Sequence, residues 1–207
     1  MLDDLAKPQL HDCLKRLREA VVAKTDGLSE YEVRRPMTTT GTNLLGLIKH
    51  MSTWEARYLG EVFGRPFPEA LPPWDDEDAD LAGMWATEHE SRAEIIDGWR
   101  RVWEHGDATI DALPLDAPGH VPWWSHPEVT LFGVLVHEIA ETSRHAGHAD
   151  ILREELDGAV GTNATKRPSE DDVAFWSGQR AKIERAARAA AGLSPAAGSH
   201  PPATSGP

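Results

Sequence analysis

The chain of 207 residues has a single cysteine, Cys13. With no second thiol there is no internal disulfide and no thiolate zinc cage, so any metal must sit on His and carboxylate. Cys13 itself lies among apolar neighbours and reads as a small buried hydrophobe. Long apolar runs are missing too: none approaches the roughly 20 residues of a membrane span. The opening Met1-Leu2-Asp3-Asp4-Leu5 is acidic where a secretory signal is basic, so the expected compartment is the cytoplasm, with no membrane partner. Basic residues are in deficit, 21 Lys and Arg against 34 Asp and Glu, for a formal net charge of −13. That balance opposes a phosphate backbone and argues against nucleic acid as a partner. Period-two alternation is too scarce for a sheet of any size. What the chain has in plenty is histidine, ten residues, and tryptophan, eight.

Five segments carry helical periodicity. The first, Pro8 to Thr25, repeats Leu10, Leu14, Leu17, Val21 and Val22 and stops before Gly27. The second, Asn43 to Phe63, repeats Leu44, Leu47, Ile48, Met51, Trp54, Tyr58 and Val62 and is ended by Gly64 and Pro66. From Arg65 to Met84 the chain is proline-rich and then acidic, which predicts a long aperiodic crossover; the acidic run lacks the glycine and closing glutamate of a calcium loop. A third helix is expected from Trp85 to Leu113, with Gly98 and Gly106 as weak points, and a fourth from Val129 to Leu156. Pro168 and an acidic first turn open a fifth, which runs to Ala191.

The predicted fold is all-α: a four-helix bundle over residues 1–160, a linker and additional C-terminal helix over 161–191, and a low-complexity disordered tail over 192–207. Only the connection between the second and third helices is long enough to return the chain, so those two run parallel and the flanking pairs antiparallel. The fifth helix, basic at Arg180, Lys182, Arg185 and Arg188 and apolar at Val173, Phe175, Trp176 and Ile183, is expected to pack on the bundle, with a homodimer contact as the alternative.

The fourth helix contains the chemistry-bearing row. At about 100° per residue, Val134, His137, Glu141, His145, His148 and Leu152 form one inclined stripe in which four polar residues are bracketed by aliphatic ones. Burying such a row requires something to satisfy it. Glu141 and His145 are one turn apart and can converge on one ion; His50, on the second helix between Leu47 and Trp54, is the natural third ligand. Three such ligands with an open fourth position suit a catalytic zinc. Standing alone, His50 reads first as a hydrogen-bonded core residue. The zinc-protease pattern His-Glu-x-x-His fails, since Glu141 stands where the second His belongs. A metal-free acid–base pair of His148 and Glu141 is an alternative without further support. His137 and His148 are placed as residues that orient the ligands or pack in the core. Arg144, Arg153, Arg57 and Lys49 suit the carboxylates of a cofactor or substrate, or else a solvated helix face. Trp54, Trp123 and Trp124 are candidates for the pocket wall.

The stretch Asn43-Leu-Leu-Gly-Leu-Ile-Lys-His50, the turn Phe63-Gly-Arg-Pro-Phe-Pro68, the loop Val121-Pro-Trp-Trp124 and the run His137 to Leu152 together resemble the DinB-like superfamily. Over about residues 8 to 160 the chain is most similar to the actinobacterial branch of mycothiol-dependent maleylpyruvate isomerases and mycothiol S-transferases. The resemblance implies an up-down-down-up bundle. It also implies a divalent metal on His50, Glu141 and His145, with zinc favoured by Glu at the first position of the helix-four pair and nickel or iron as alternatives. The resemblance further implies that beside that metal the thiol of mycothiol or another low-molecular-weight thiol is activated, for S-transfer or thiol-dependent isomerisation on a small-molecule substrate; Arg144, Arg153 and Trp54 are the residues expected toward that cofactor. A non-catalytic metal- or small-ligand-binding stress-response module is the other function such a bundle supports.

Overall fold

The computed structural model describes residues 2–162 and 167–193, which fall into two compact units, 1–166 and 167–207. The first unit contains helices α1 (Leu2–Ala23), α2 (Glu30–Arg34), α3 (Leu44–Tyr58), α4 (Glu77–Gly83), α5 (Arg92–Ala112) and α6 (Leu131–Asp157). It also contains a 3₁₀ turn at Glu61–Phe63 and two strands, β1 (Pro118–His120) and β2 (Glu128–Thr130). The second unit contributes α7 (Glu170–Ala190), opened by a capping box between Ser169 and Asp172. Residues 194–207 of the expected tail and 163–166 of the expected linker lie outside the described residues. No helix among the described residues is long and apolar enough to cross a membrane.

The helix limits follow from their caps. Asn43 accepts from Gly46 N at the start of α3, a Ser91–Glu94 capping box starts α5, and Thr130 accepts from Gly133 N at the start of α6. Three boundaries differ from expectation. α1 begins at Leu2, so Pro8 lies inside it; the early turn is tied down by Lys7, whose ammonium donates to the carbonyls of Asp111 and Leu113. α5 starts at its capping box and not at Trp85. The second expected helix ends at Tyr58, after which the 3₁₀ turn carries the chain to Gly64 in the left-handed region, φ 65°. The crossover includes the short α4, and the connection between α5 and α6 contains the hairpin β1–β2, antiparallel with Gly119 opposite Val129. Gly119 lets that hairpin seat on the 3₁₀ turn, since a Cβ there would stand 2.7 Å from Phe63 Cε1 and 2.8 Å from Val62 Cγ1.

Long-range bonds give the helix directions. Arg92, at the start of α5, donates to Thr25 and Leu28 beyond the end of α1, and Lys7 reaches the end of α5, so α1 and α5 are antiparallel. Lys49, early in α3, pairs with Glu90 just before α5, while Arg65, after α3, reaches Thr109 near the end of α5, so those two are parallel. Arg153, late in α6, donates to the carbonyls of Lys24 and Asp26, so α6 runs with α1. The bundle is up-down-down-up, as the loop lengths and the resemblance imply.

The core consists of two apolar clusters. One includes Val21, Ile48, Trp99, Val102 and Leu152, and the other Leu14, Leu59, Ile110, Leu131 and Val134. Between them each long helix contributes polar residues: Arg18 from α1, Glu55 from α3, Asp107 from α5, Glu138 and Thr142 from α6. Arg18 Nη2 lies 2.8 Å from Glu55 Oε1 and Nη1 2.6 Å from Asp107 Oδ1, and Trp99 Nε1 donates to Glu55 Oε2 at 3.1 Å. Gly106 lets α5 approach closely, its Cβ position being 3.0 Å from Leu59 Cδ1 and 3.5 Å from Arg18 Nη2; it does not break the helix.

Removing one member of a buried ion pair strands the other charge, at a cost of about 3–5 kcal/mol. Glu55→Ala leaves Arg18 with Asp107 as its remaining carboxylate and is expected to lower the unfolding free energy in urea by about 3 kcal/mol, the low end of that range. The double variant Arg18→Met/Glu55→Leu, which removes both charges at similar volume, recovers most of it.

Candidate functional site

Two rows of side chains, one on α3 and one on α6, face each other in opposite order. Positions i, i+4 and i+8 share a helix face, which aligns His50, Trp54 and Tyr58 on α3 and His137, Glu141 and His145 on α6. Because the helices are antiparallel, His50 meets His145, ring centroids 5.0 Å apart, and Tyr58 meets His137 at 4.7 Å. Between the rows is a cavity of about 210 Å³ lined by His50, Trp54, Tyr58, Trp123, His137 and Glu141, with Glu138, Thr142, Met51 and His145 completing the wall. Trp123 comes from the loop between β1 and β2 and packs edge-on against Trp54 at 5.5 Å.

The electrostatics favour neutral groups. Burial, followed by the neighbouring His50 and His148, lowers the pKa of His145 to about 4 against the opposing pull of Glu141, so its imidazole is neutral at pH 7. Burial also lowers His137, with Arg144 adding to the effect and Glu141 opposing it. Burial raises the Glu138 carboxyl well above the usual carboxylate range; the negative charges of Glu55 and Glu141 reinforce this and Arg18 opposes it. His145 Nδ1 is buried without a hydrogen-bond partner, and Nε2 is 3.9 Å from Glu141 Oε2, beyond hydrogen-bond reach. Glu141 instead pairs with Arg144, Nη1 to Oε1 at 3.0 Å.

His50, Glu141, His145, Trp54 and His137 are thus brought to one cavity. His148 is near it, its ring 5.4 Å from that of His145, but is not part of the wall. Arg144 is on the exposed side of Glu141. Arg153 is elsewhere, a correction to its expected role toward a cofactor. It is 2% exposed, and its guanidinium is committed to Asp157 and the carbonyls of Lys24 and Asp26, closing the end of α1 on α6. Arg57 and Lys49 are likewise engaged, Arg57 with Glu61 and the Pro72 carbonyl, Lys49 with Glu90 and the Trp85 carbonyl. Cys13 is half-buried.

Sequence reasoning missed Glu138, Thr142 and the hydroxyl of Tyr58. Tyr58 had a signal, its place one turn beyond Trp54 in the His50 row. Glu138 had a weaker one, a carboxylate on the otherwise apolar stripe of α6 between Val134 and Thr142.

The donor chemistry suits a divalent metal: a neutral imidazole with an unpaired buried nitrogen, a second imidazole beside it and a carboxylate one turn away. The side chains as placed do not converge, however, and among the described residues no group of three His, Cys, Asp or Glu is positioned to hold an ion. The family model described as mycothiol-S-transferase matches residues 9–158, from α1 to the Gly158 cap of α6. No curated protein matches the chain.

A carboxyl whose folded-state pKa is raised contributes stability that is present below its unfolded value and is lost as pH rises through the folded value. Glu138→Gln removes that dependence. Its melting temperature is expected to exceed that of wild type by about 3 °C at pH 8 and to match it near pH 5, as read by circular dichroism. A wild-type advantage at pH 8 would contradict a destabilising buried carboxylate.

Proposed function

The chain belongs to the mycothiol S-transferase family, and from that premise we propose that it is a divalent-metal-dependent enzyme, with zinc the first candidate and nickel or iron the alternatives. It activates mycothiol or a related low-molecular-weight thiol for transfer to a small-molecule substrate. His50, Glu141 and His145 would hold the metal, His137 and His148 would orient them, and Arg144 and Trp54 would face the thiol cofactor. When bound, such a metal lowers the pKa of an adjacent thiol and supplies thiolate, the competent nucleophile, at neutral pH.

The observation that carries this reading is the state of His145: a neutral imidazole, buried with one nitrogen unpaired, that faces His50 across the cavity. An unpaired buried nitrogen costs about 1–3 kcal/mol unless a partner is supplied. Trp54 and Trp123 supply an aromatic wall to the cavity, against which the apolar part of an electrophile would pack. The Glu141 carboxylate has lone pairs beyond those facing Arg144, so it would reach a metal with the guanidinium still paired beside it at the rim.

Metal content by plasma mass spectrometry is expected to be near stoichiometric in wild type and to be lost in His50→Ala, Glu141→Gln and His145→Ala. Metal-dependent transfer of mycothiol to an electrophilic acceptor should be lost with it, at least a hundredfold in kcat/KM. Full metal with unchanged transfer in the Glu141→Gln and His50→Ala proteins would overturn the reading. After cobalt substitution, a visible spectrum that does not respond to added thiol would instead indicate a closed site and a non-catalytic module.

A further inference from the structure

The phenolic oxygen of Tyr58 accepts two hydrogen bonds from indoles, Trp123 Nε1 at 3.0 Å and Trp124 Nε1 at 3.1 Å. A phenol has one O–H to donate and two lone pairs to accept with, whereas an indole N–H only donates. Both lone pairs are therefore engaged, and neither bond can be reversed. What Tyr58 has left is its hydrogen, which finds no acceptor among the described residues. Glu138 and Glu141 are close enough for their charge to raise the phenol pKa, after burial and against the two indoles, but neither accepts from it.

The ring has little freedom to change this arrangement. It is buried and lines the cavity, with His137 at 4.7 Å, Trp123 at 5.4 Å, Trp124 at 5.8 Å and Trp54 at 6.2 Å between centroids. Ordinarily a tyrosine hydroxyl adapts, donating to one ligand and accepting from another; here the indoles remove the second option.

We propose that Tyr58 is an obligate hydrogen-bond donor into the cavity, which fixes a carbonyl or ether oxygen of the bound molecule and discriminates against a hydroxyl or amine hydrogen at the same place. The inference rests on the cavity being the ligand site, as in the reading above, but on neither the metal nor the thiol. In a transferase, a carbonyl oxygen held this way has charge drawn off its carbon, which makes that molecule the better electrophile.

Two probes of nearly equal shape isolate the donor: acetophenone and α-methylstyrene, in which a methylene replaces the carbonyl oxygen. Dissociation constants are measured by equilibrium dialysis on the full chain. Tyr58→Phe is expected to shift the ratio of the two constants about tenfold against the ketone while leaving the hydrocarbon's affinity within about twofold. An unchanged ratio, an equal loss for both probes, or a ketone that does not bind the wild-type cavity overturns the proposal.

A second measurement needs no loss of the hydroxyl. The infrared carbonyl band of bound ¹³C-acetophenone is expected to lie below its position in hexane. It should move lower still when Tyr58 is replaced by the more acidic 3-fluorotyrosine in a Tyr31→Phe background, Tyr31 being the exposed second tyrosine of the chain. A band at the hexane position in wild type overturns the proposal. Neither probe contains a thiol and neither assay needs metal, so failure of thiol transfer and failure of the Tyr58 donor are read separately.

Discussion

The buried guanidinium of Arg18 sets the register of the bundle. It reaches α3 through Glu55 and α5 through Asp107, and its cation lies 5.9 Å from the centre of the Trp103 ring. Burial disfavours the charge, yet the two carboxylates outweigh that and hold the guanidinium protonated, above its ordinary pKa. His11 extends the cluster, Nε2 to Asp107 Oδ1 at 2.8 Å. Apolar layers tolerate slippage by one helical turn, about 5.4 Å, because one leucine replaces another. An ion pair does not, because a shifted partner leaves a bare charge in the core. The layer from Arg18 to Asp107 thus contributes uniqueness of alignment more than net stability, and the two apolar clusters on either side contribute the stability.

That alignment reaches the cavity through two residues. Glu55 precedes Tyr58 by one turn on α3, so fixing Glu55 to Arg18 and Trp99 fixes the height of the His50–Trp54–Tyr58 row against α1 and α5. Its negative charge also acts on Glu138 and adds to burial in raising that carboxyl's pKa. Burial thus disfavours the charged forms of the His137 and His145 imidazoles and of the Glu138 carboxyl, while Glu141 is paired with Arg144 at the rim. A neutral interior admits a polar, uncharged ligand without the desolvation cost that an unpaired charge would impose.

Much of this was legible in the sequence, and the reason is periodicity. His137, Glu141 and His145 recur every fourth residue, as do His50, Trp54 and Tyr58, so both faces were visible before the helices were brought together. The parallel pairing of α3 and α5 was visible in the length of the crossover. What periodicity does not encode is the partner across a long loop. Arg153 looked available because the acceptors that complete its engagement are not on its own helix; they are carbonyls at the end of α1. Glu138 looked like an ordinary helix-face glutamate because its environment depends on Glu55 and Arg18, two other helices away in sequence. Strands of three residues, such as β1 and β2, are too short to show alternation.

Those short strands nonetheless decide the shape of the site. The hairpin, seated on the 3₁₀ turn at Gly119, holds the loop from which Trp123 and Trp124 reach the Tyr58 hydroxyl. On the opposite side the crossover brings Trp74 against Trp123 at 5.7 Å, and Arg57 anchors it by donating to the Pro72 carbonyl. The chemistry-bearing groups are thus on two helices, α3 held to α1 and α5 by the Arg18 cluster and α6 held to α1 by Arg153, whereas the groups that shape the mouth and orient the phenol are on two connections. Helical rows cannot change without disturbing the core, but loops can change length and sequence at little cost to it. Leu115, Ala117 and Val121 are themselves buried in the core, however, so the mouth is free to vary at the exposed positions of residues 65–84 and 114–127 while the rows on α3 and α6 remain as they are.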